Sequence, residues 1–146
     1  MAHPQLLVGK VAAITGGLTG IGRVCLNCTE GNRPLTNTAQ AIALEYLRHG
    51  ARVCINHLGT PNEDALLQSM NEEAAEIVGT REQGREKRFI TVAGDIGRAE
   101  TGREFIEKTV QAFGRLDVFV SNAGVCTFKD FLEYVLWTYM GVFFTC

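Results

Sequence analysis

The stretch KVAAITGGLTGIG, residues 10–22, restricts the fold more than any other part of the chain. An apolar run of strand length enters a cluster of glycines and leads toward a helical pattern. A strand that feeds a helix in this way needs a parallel neighbour, because the helix carries the chain back to the same end of the sheet. Three further apolar runs supply candidates: ARVCIN (51–56) after Gly50, RFITVAG (88–94) and LDVFVS (116–121). Between them, EDALLQSMNEEAAEIVGTREQ (63–83) combines helix formers with Leu, Ile and Val at helical intervals. AETGREFIEKTVQAFG (99–114) places Phe105, Ile106, Thr109, Val110 and Phe113 on one face and ends in glycine. The alternation predicts an α/β fold, a doubly wound parallel sheet of about four strands in the order 3-2-1-4.

Composition narrows the class. With 146 residues the chain is long enough for one domain with a real core. Charged residues make up 21% and the net charge is −2, which offers neither a polybasic nucleic-acid surface nor an acidic disordered tail. MAHPQLLVGK has no apolar core of signal-peptide length, and the longest uncharged run, YVLWTYMGVFFTC (134–146), is too short to span a bilayer. A soluble, cytoplasmic protein without membrane or nucleic-acid partners is expected. Its five cysteines are then reduced thiols. Cys25 and Cys28 form a CxxC, but no second pair exists and His3, His49 and His57 are scattered, so no metal site is expected. Asn27-Cys28-Thr29 fits a glycosylation pattern that is idle without secretion.

The glycines carry the chemistry. Gly16, Gly20 and Gly22 fit TGxxxGxG directly after the first strand. Missing side chains let the backbone turn tightly and approach a pyrophosphate, whose charge meets the N-terminus of the next helix. The absence of GK[ST] disfavours a nucleoside-triphosphate loop. AGDI (93–96) and SNAG (121–124) end the third and fourth strands, at the sheet edge where such folds bind ligands. Asp95 can accept a hydrogen bond from an adenine amino group, Asn122 can fix neighbouring backbone, and Gly124 leaves room for a ribose. An acid at the end of the second strand would hold a ribose 2′-hydroxyl and repel a 2′-phosphate. The residues there are Asn56 and His57, so NAD and NADP both stay open, and Arg23 is either a phosphate partner or solvated.

Together these motifs resemble the short-chain dehydrogenase/reductase family, with its TGxxxGIG, its strand-end Asp and its NNAG-type motif. The match spans most of the chain outside 24–40 and 134–140 and corresponds to the family's N-terminal half. Within the family, GKVAAITGG, TGIGR, INHL, GDI and VFVSNAGVC look most like the L-rhamnose 1-dehydrogenases. The resemblance implies a Rossmann-like domain, here incomplete. It also implies an NAD(P)-dependent oxidoreductase that moves hydride between a nicotinamide cofactor and a sugar or other alcohol or carbonyl substrate. It assigns cofactor contacts to Thr15, Gly16, Leu18, Gly20, Ile21, Gly22, Asn56, Asp95, Ile96, Asn122, Ala123 and Gly124, and homo-oligomers to the intact family. The alternative is a non-catalytic nucleotide-binding or regulatory module. A Rossmann-like methyltransferase is disfavoured by Asn56, where it would carry an acid, and by the SNAG motif.

Two features depart from the family pattern. Gly16 and Asn56 lie 40 residues apart, where the fold expects about 20 between the first glycine and the second strand's end. Without Val24–Gln40 the separation is 23, and GIGR joins AIALEYLRHG as one helix. Gly31 and Pro34 break helices, so 24–40 is expected to be an irregular insert, with the helix resuming between Thr38 and Ala41. Val24-Cys25 is encodable as GTATGT and Gln40 as CAG, the borders of a retained intron; a surface loop is the other reading. The second departure is catalytic. Four residues after Tyr46, Tyr134 and Tyr139 stand Gly50, Thr138 and Phe143, so the family's YxxxK is absent and no catalytic residue is assigned. GVFFTC (141–146) resembles the start of the family's fifth helix without its preceding Asn, which makes 134–146 an irregular, apolar and aggregation-prone tail. The chain is expected to be inactive as it stands.

Overall fold

The computed structural model describes residues 5–18, 38–79 and 87–124. Among the described residues four strands alternate with three helices: β1 (Val11–Ile14), α1 (Thr38–Arg48), β2 (Arg52–His57), α2 (Asp64–Val78), β3 (Phe89–Ala93), α3 (Ala99–Phe113) and β4 (Val118–Val120). All pairings are parallel and the order is β3-β2-β1-β4, as the sequence pattern predicts. Ile14 pairs with Ile55 and Val120, so the ends of the three strands that carry the motifs lie side by side.

Alternation along the strands divides the core into two layers. Ile14, Val53, Ile55 and Phe89 pack with Ala39, Ala43, Leu44 and Leu47 of α1 and with Met70 and Ala74 of α2. Val11, Ala13, Cys54 and Val92 face Phe105 and Phe113 of α3. One sheet is thereby covered on both faces, which is why its central strands read as continuous apolar runs.

Two expectations change and a third holds. Val110, expected on the buried face of α3, is 41% exposed. It lies five residues from Phe105, about 140° around the helix, and therefore reaches the rim. The helix expected to run to Gln83 ends at Val78, where the Gly79 N–H bonds the Ala75 carbonyl; residues 80–86 lie outside the described ones. Resumption of the helix falls at Thr38, within the expected range, and Ala39 and Gln40 are buried in its first turn. The last three residues of 24–40 are therefore helical, and 24–37 lie outside the described residues.

At the sheet's amino edge, arginines close the helix ends. Arg88 donates through Nη2 to the Leu47 and Ala51 carbonyls and through Nε to Ala51, and Arg52 donates to the Phe113 carbonyl. The last carbonyls of α1 have no intrahelical partner and a cation there also meets the negative end of the helix dipole. Arg88→Ala is expected to lower the free energy of unfolding by about 1–2 kcal/mol, the range for hydrogen bonds from a charged donor discounted for partial exposure. Chemical denaturation would measure it. Recovery of about half the loss by Arg88→Lys would confirm that the donor matters, and an unchanged midpoint in Arg88→Ala would refute the assignment.

Candidate functional site

At the carboxyl edge the chain leaves β1 through Thr15-Gly16-Gly17-Leu18. Thr15 anchors this turn. Its N–H donates to the Val120 carbonyl at 3.0 Å, and its buried hydroxyl accepts the N–H groups of Asn122 at 3.1 Å and Ala123 at 3.0 Å. Asn122 returns the contact through Nδ2, which donates to the Thr15 carbonyl at 3.1 Å and the Gly16 carbonyl at 3.4 Å. Residues more than a hundred positions apart are thus laced together at the end of two adjacent strands. The hydroxyl has two acceptor lone pairs, and both are used.

Close approach explains the glycines. Gly16 has φ of +72°, and a Cβ there would sit 2.7 Å from the Ala123 Cα. Gly17 is tighter still. Its N–H donates to the Asn56 carbonyl at 2.7 Å, and a Cβ would lie 1.8 Å from the Ile55 Cγ2. The turn is wedged between β2 and the strand-end segment 121–124. Sequence reasoning omitted Gly17; the doubled glycine in TGG was the available signal.

The other assigned residues divide by exposure. Asp95 is exposed and its Oδ1 accepts the Gly97 N–H at 3.0 Å, which shapes the turn after β3 and leaves a carboxylate at the edge. Ile96 is half-buried against the α3 layer. Ala123 and Gly124 are exposed, and a Cβ on Gly124 would meet nothing within 4 Å, so there is open space beside it. Leu18 is only 3% exposed and packs into the α1–α2 layer, so only its backbone can face a ligand. Asn56 is 2% exposed, with its amide turned inward to backbone carbonyls. Gly20, Ile21 and Gly22 lie outside the described residues.

A buried acid lies beyond the end of β2. Glu63, 1% exposed, accepts the Gly59 N–H at 2.7 Å and the Thr60 N–H at 3.0 Å through Oε2, which stands 3.6 Å from Nδ1 of His57. β2 itself ends in Asn56-His57 without an acid, as the sequence reads, and Glu63 lies further along the chain. Sequence analysis did not single out Glu63, which lies six positions beyond the strand in a single 3₁₀ turn, Pro61–Glu63. Thr60 and Glu63 form a capping box, and the T-x-x-E spacing was the signal that could have found it. The Gly59 N–H also approaches Nδ1 of His57 at 3.2 Å.

Cys54 has no part in this edge. It is buried on the α3 side of the sheet, and burial pushes its thiol up to about 11 despite a hydrogen bond with Thr109. Such a thiol is unreactive near neutral pH. Among the described residues no group of three or more His, Cys, Asp or Glu side chains is placed to hold a metal ion. Among them, too, no helix is long and apolar enough to cross a membrane. Cys25 and Cys28 lie outside the described residues.

The arrangement fits a dinucleotide. It offers a glycine turn at the carboxyl edge of the sheet, an exposed carboxylate at the next strand end but one, and a small-residue strand end beside the turn. Known proteins agree. The family profile for short chain dehydrogenases matches residues 38–143. An L-rhamnose-1-dehydrogenase from Scheffersomyces stipitis is 43% identical over 128 residues, which cover 88% of this chain and 40% of that one. An L-rhamnose 1-dehydrogenase (NAD(P)(+)) from Azotobacter vinelandii is 35% identical over 129 residues, 88% of this chain and 41% of that one. This chain thus spans about 40% of the length of these relatives. Among solved structures, the C-domain of a bacterial malonyl-CoA reductase with NADP superposes with a TM-score of 0.59 at 28% identity, over 83% of this chain and 16% of that one. A short-chain dehydrogenase/reductase from Serratia marcescens gives 0.56 at 27% identity, over 87% and 40%. The profile covers well over half the chain, the sheet order agrees, and the motifs stand at the strand ends where they are needed: the chain belongs to the short-chain dehydrogenase family.

Proposed function

We propose that this chain supplies the dinucleotide-binding part of an NAD(P)-dependent oxidoreductase that moves hydride between nicotinamide and a sugar or other alcohol, with a substrate of the L-rhamnose type. The observation that carries the reading is the lacing of the glycine turn to the NAG segment through Thr15 and Asn122, with no room for a Cβ on Gly16. Its backbone receives the pyrophosphate, the Asp95 carboxylate meets the adenine amino group, and the space beside Gly124 takes a ribose. The bound nicotinamide would supply or accept the hydride. What these residues do is bind and orient. The names of the relatives from Scheffersomyces stipitis and Azotobacter vinelandii support the sugar class.

Calorimetric titration tests the binding. NADH or NADPH should bind in a one-to-one ratio, and ADP-ribose should compete, because it carries the pyrophosphate and adenosine without the nicotinamide. Failure of both dinucleotides to bind would overturn the reading.

The segment from Val24 onward is read as an insert between the glycine turn and α1. Sequencing the mature transcript decides its origin: codons 24–40 missing from most copies would make it a retained intron, and their presence would make it part of the protein.

A further inference from the structure

Asn56 stands where the fold places the residue that reads the adenosine ribose, yet its side chain turns away from the edge. Its Nδ2 donates to the Gly94 carbonyl at 2.9 Å, with the Val92 carbonyl at 3.3 Å and the His57 carbonyl at 3.4 Å. Its own carbonyl accepts the Gly17 N–H at 2.7 Å. The neighbouring peptide completes the tie, because the Gly94 N–H donates to the His57 carbonyl at 2.7 Å. One buried residue therefore grips both walls of the adenosine end. Its main chain holds the glycine turn, and its side chain holds the turn that leads into Asp95.

The chemistry of the grip is selective. Three carbonyl oxygens converge on one amide group, and an amide NH₂ has two protons to offer them. A carboxylate there would face three acceptors with nothing to donate, buried and unsatisfied. The acid that would mark a ribose-binding strand end is thus incompatible with this position, for a reason that lies behind the site and not in it.

We propose that Asn56 is a positioning residue for the adenosine end of the dinucleotide site. It acts through Gly94 and Asp95 on one side and Gly17 on the other, without touching the cofactor itself. The inference rests on the dinucleotide reading above.

A double-mutant cycle separates this role from general stability. Asn56→Ser and Asp95→Ala are made singly and together in the full 146-residue chain. NADH and ADP-ribose affinities are then measured by calorimetry well below each variant's unfolding midpoint. Asn56→Ser is expected to weaken both ligands about tenfold, the scale set by losing a buried hydrogen bond. In the Asp95→Ala background the same substitution should cost less than about threefold, because the turn it positions no longer presents the carboxylate. Equal losses in both backgrounds, no loss from Asn56→Ser, or no loss from Asp95→Ala would each overturn the proposal. If Asn56→Ser does not fold, Asn56→Thr takes its place in the cycle; it keeps one hydroxyl donor and a strand-compatible shape, and the same non-additivity is required of it. Wild-type chain that binds neither NADH nor ADP-ribose would remove the dinucleotide reading and this inference with it, whereas binding with additive losses removes this inference alone.

Discussion

Purified as the 146-residue polypeptide, the chain is expected to show no NAD(P)-dependent oxidation of L-rhamnose or of any simple alcohol above background. The family's chemistry needs a Tyr to exchange a proton with the substrate oxygen, and a Lys four residues on to lower its pKa. Tyr46, Tyr134 and Tyr139 are all the tyrosines present, and none has that Lys. Tyr46 is also at the wrong edge. Its carbonyl accepts the N–H of Ala51, the residue that leads into β2, so it sits at the amino end of the strands while the glycine turn is at the carboxyl end. Loss of a positioned general acid or base alone lowers the rate by about 10²–10⁴-fold. Loss of the groups that hold substrate in a near-attack geometry lowers it further.

A coupled absorbance assay for NADH or NADPH formation checks this. Excising 24–40 should raise cofactor affinity, by joining the glycine turn directly to the helix whose N-terminus would meet the pyrophosphate, and should leave turnover at background. Supplying the YxxxK-containing half of a family member to the excised chain should restore turnover. Steady cofactor reduction by the 146-residue chain, in a preparation free of any full-length dehydrogenase, would show that its catalytic groups lie elsewhere.

The second large effect belongs to Gly17. Gly17→Ala is expected to lower the free energy of unfolding by about 2–3 kcal/mol, at the upper end of overpacking costs. The added Cβ would stand 1.8 Å from the Ile55 Cγ2, and Ile55 is fully buried in the central strand β2. A β-branched side chain in a strand has little rotamer freedom with which to yield. The turn itself would have to move, breaking the bond from Gly17 to Asn56 and shifting the backbone that faces the ligand. Dinucleotide affinity should fall along with stability.

The same chemical change elsewhere serves as the control. Gly102 lies inside α3, and a Cβ there would meet nothing within 4 Å. Gly102→Ala should therefore stabilise, by roughly 0.5–1 kcal/mol from reduced backbone entropy in the unfolded chain. Combining Gly17→Ala with Ile55→Ala should cost less than the two changes added, since the second removes the methyl group struck by the first. A Gly17→Ala protein that unfolds at the wild-type midpoint would show that the turn is not wedged against β2.

Much of this protein is legible without coordinates. The four apolar runs, the glycine turn and the helical spacing of Phe105, Thr109 and Phe113 determine a parallel sheet with helices on both faces. They suffice because strand length and periodicity are local properties, and because a parallel connection requires a crossover. The same linear patterns locate the ligand edge, since TGG, AGDI and SNAG each close a strand. What a side chain does at that edge was decided only in three dimensions. Asn56 and Leu18 turn inward, Glu63 arrives at the end of β2 from a turn six residues away, and Gly17 is held against Ile55 by a strand 38 residues on. A residue type states which bonds a group can make. Which of them it does make depends on the atoms that packing brings within about 3 Å of it, and many of those come from distant parts of the chain.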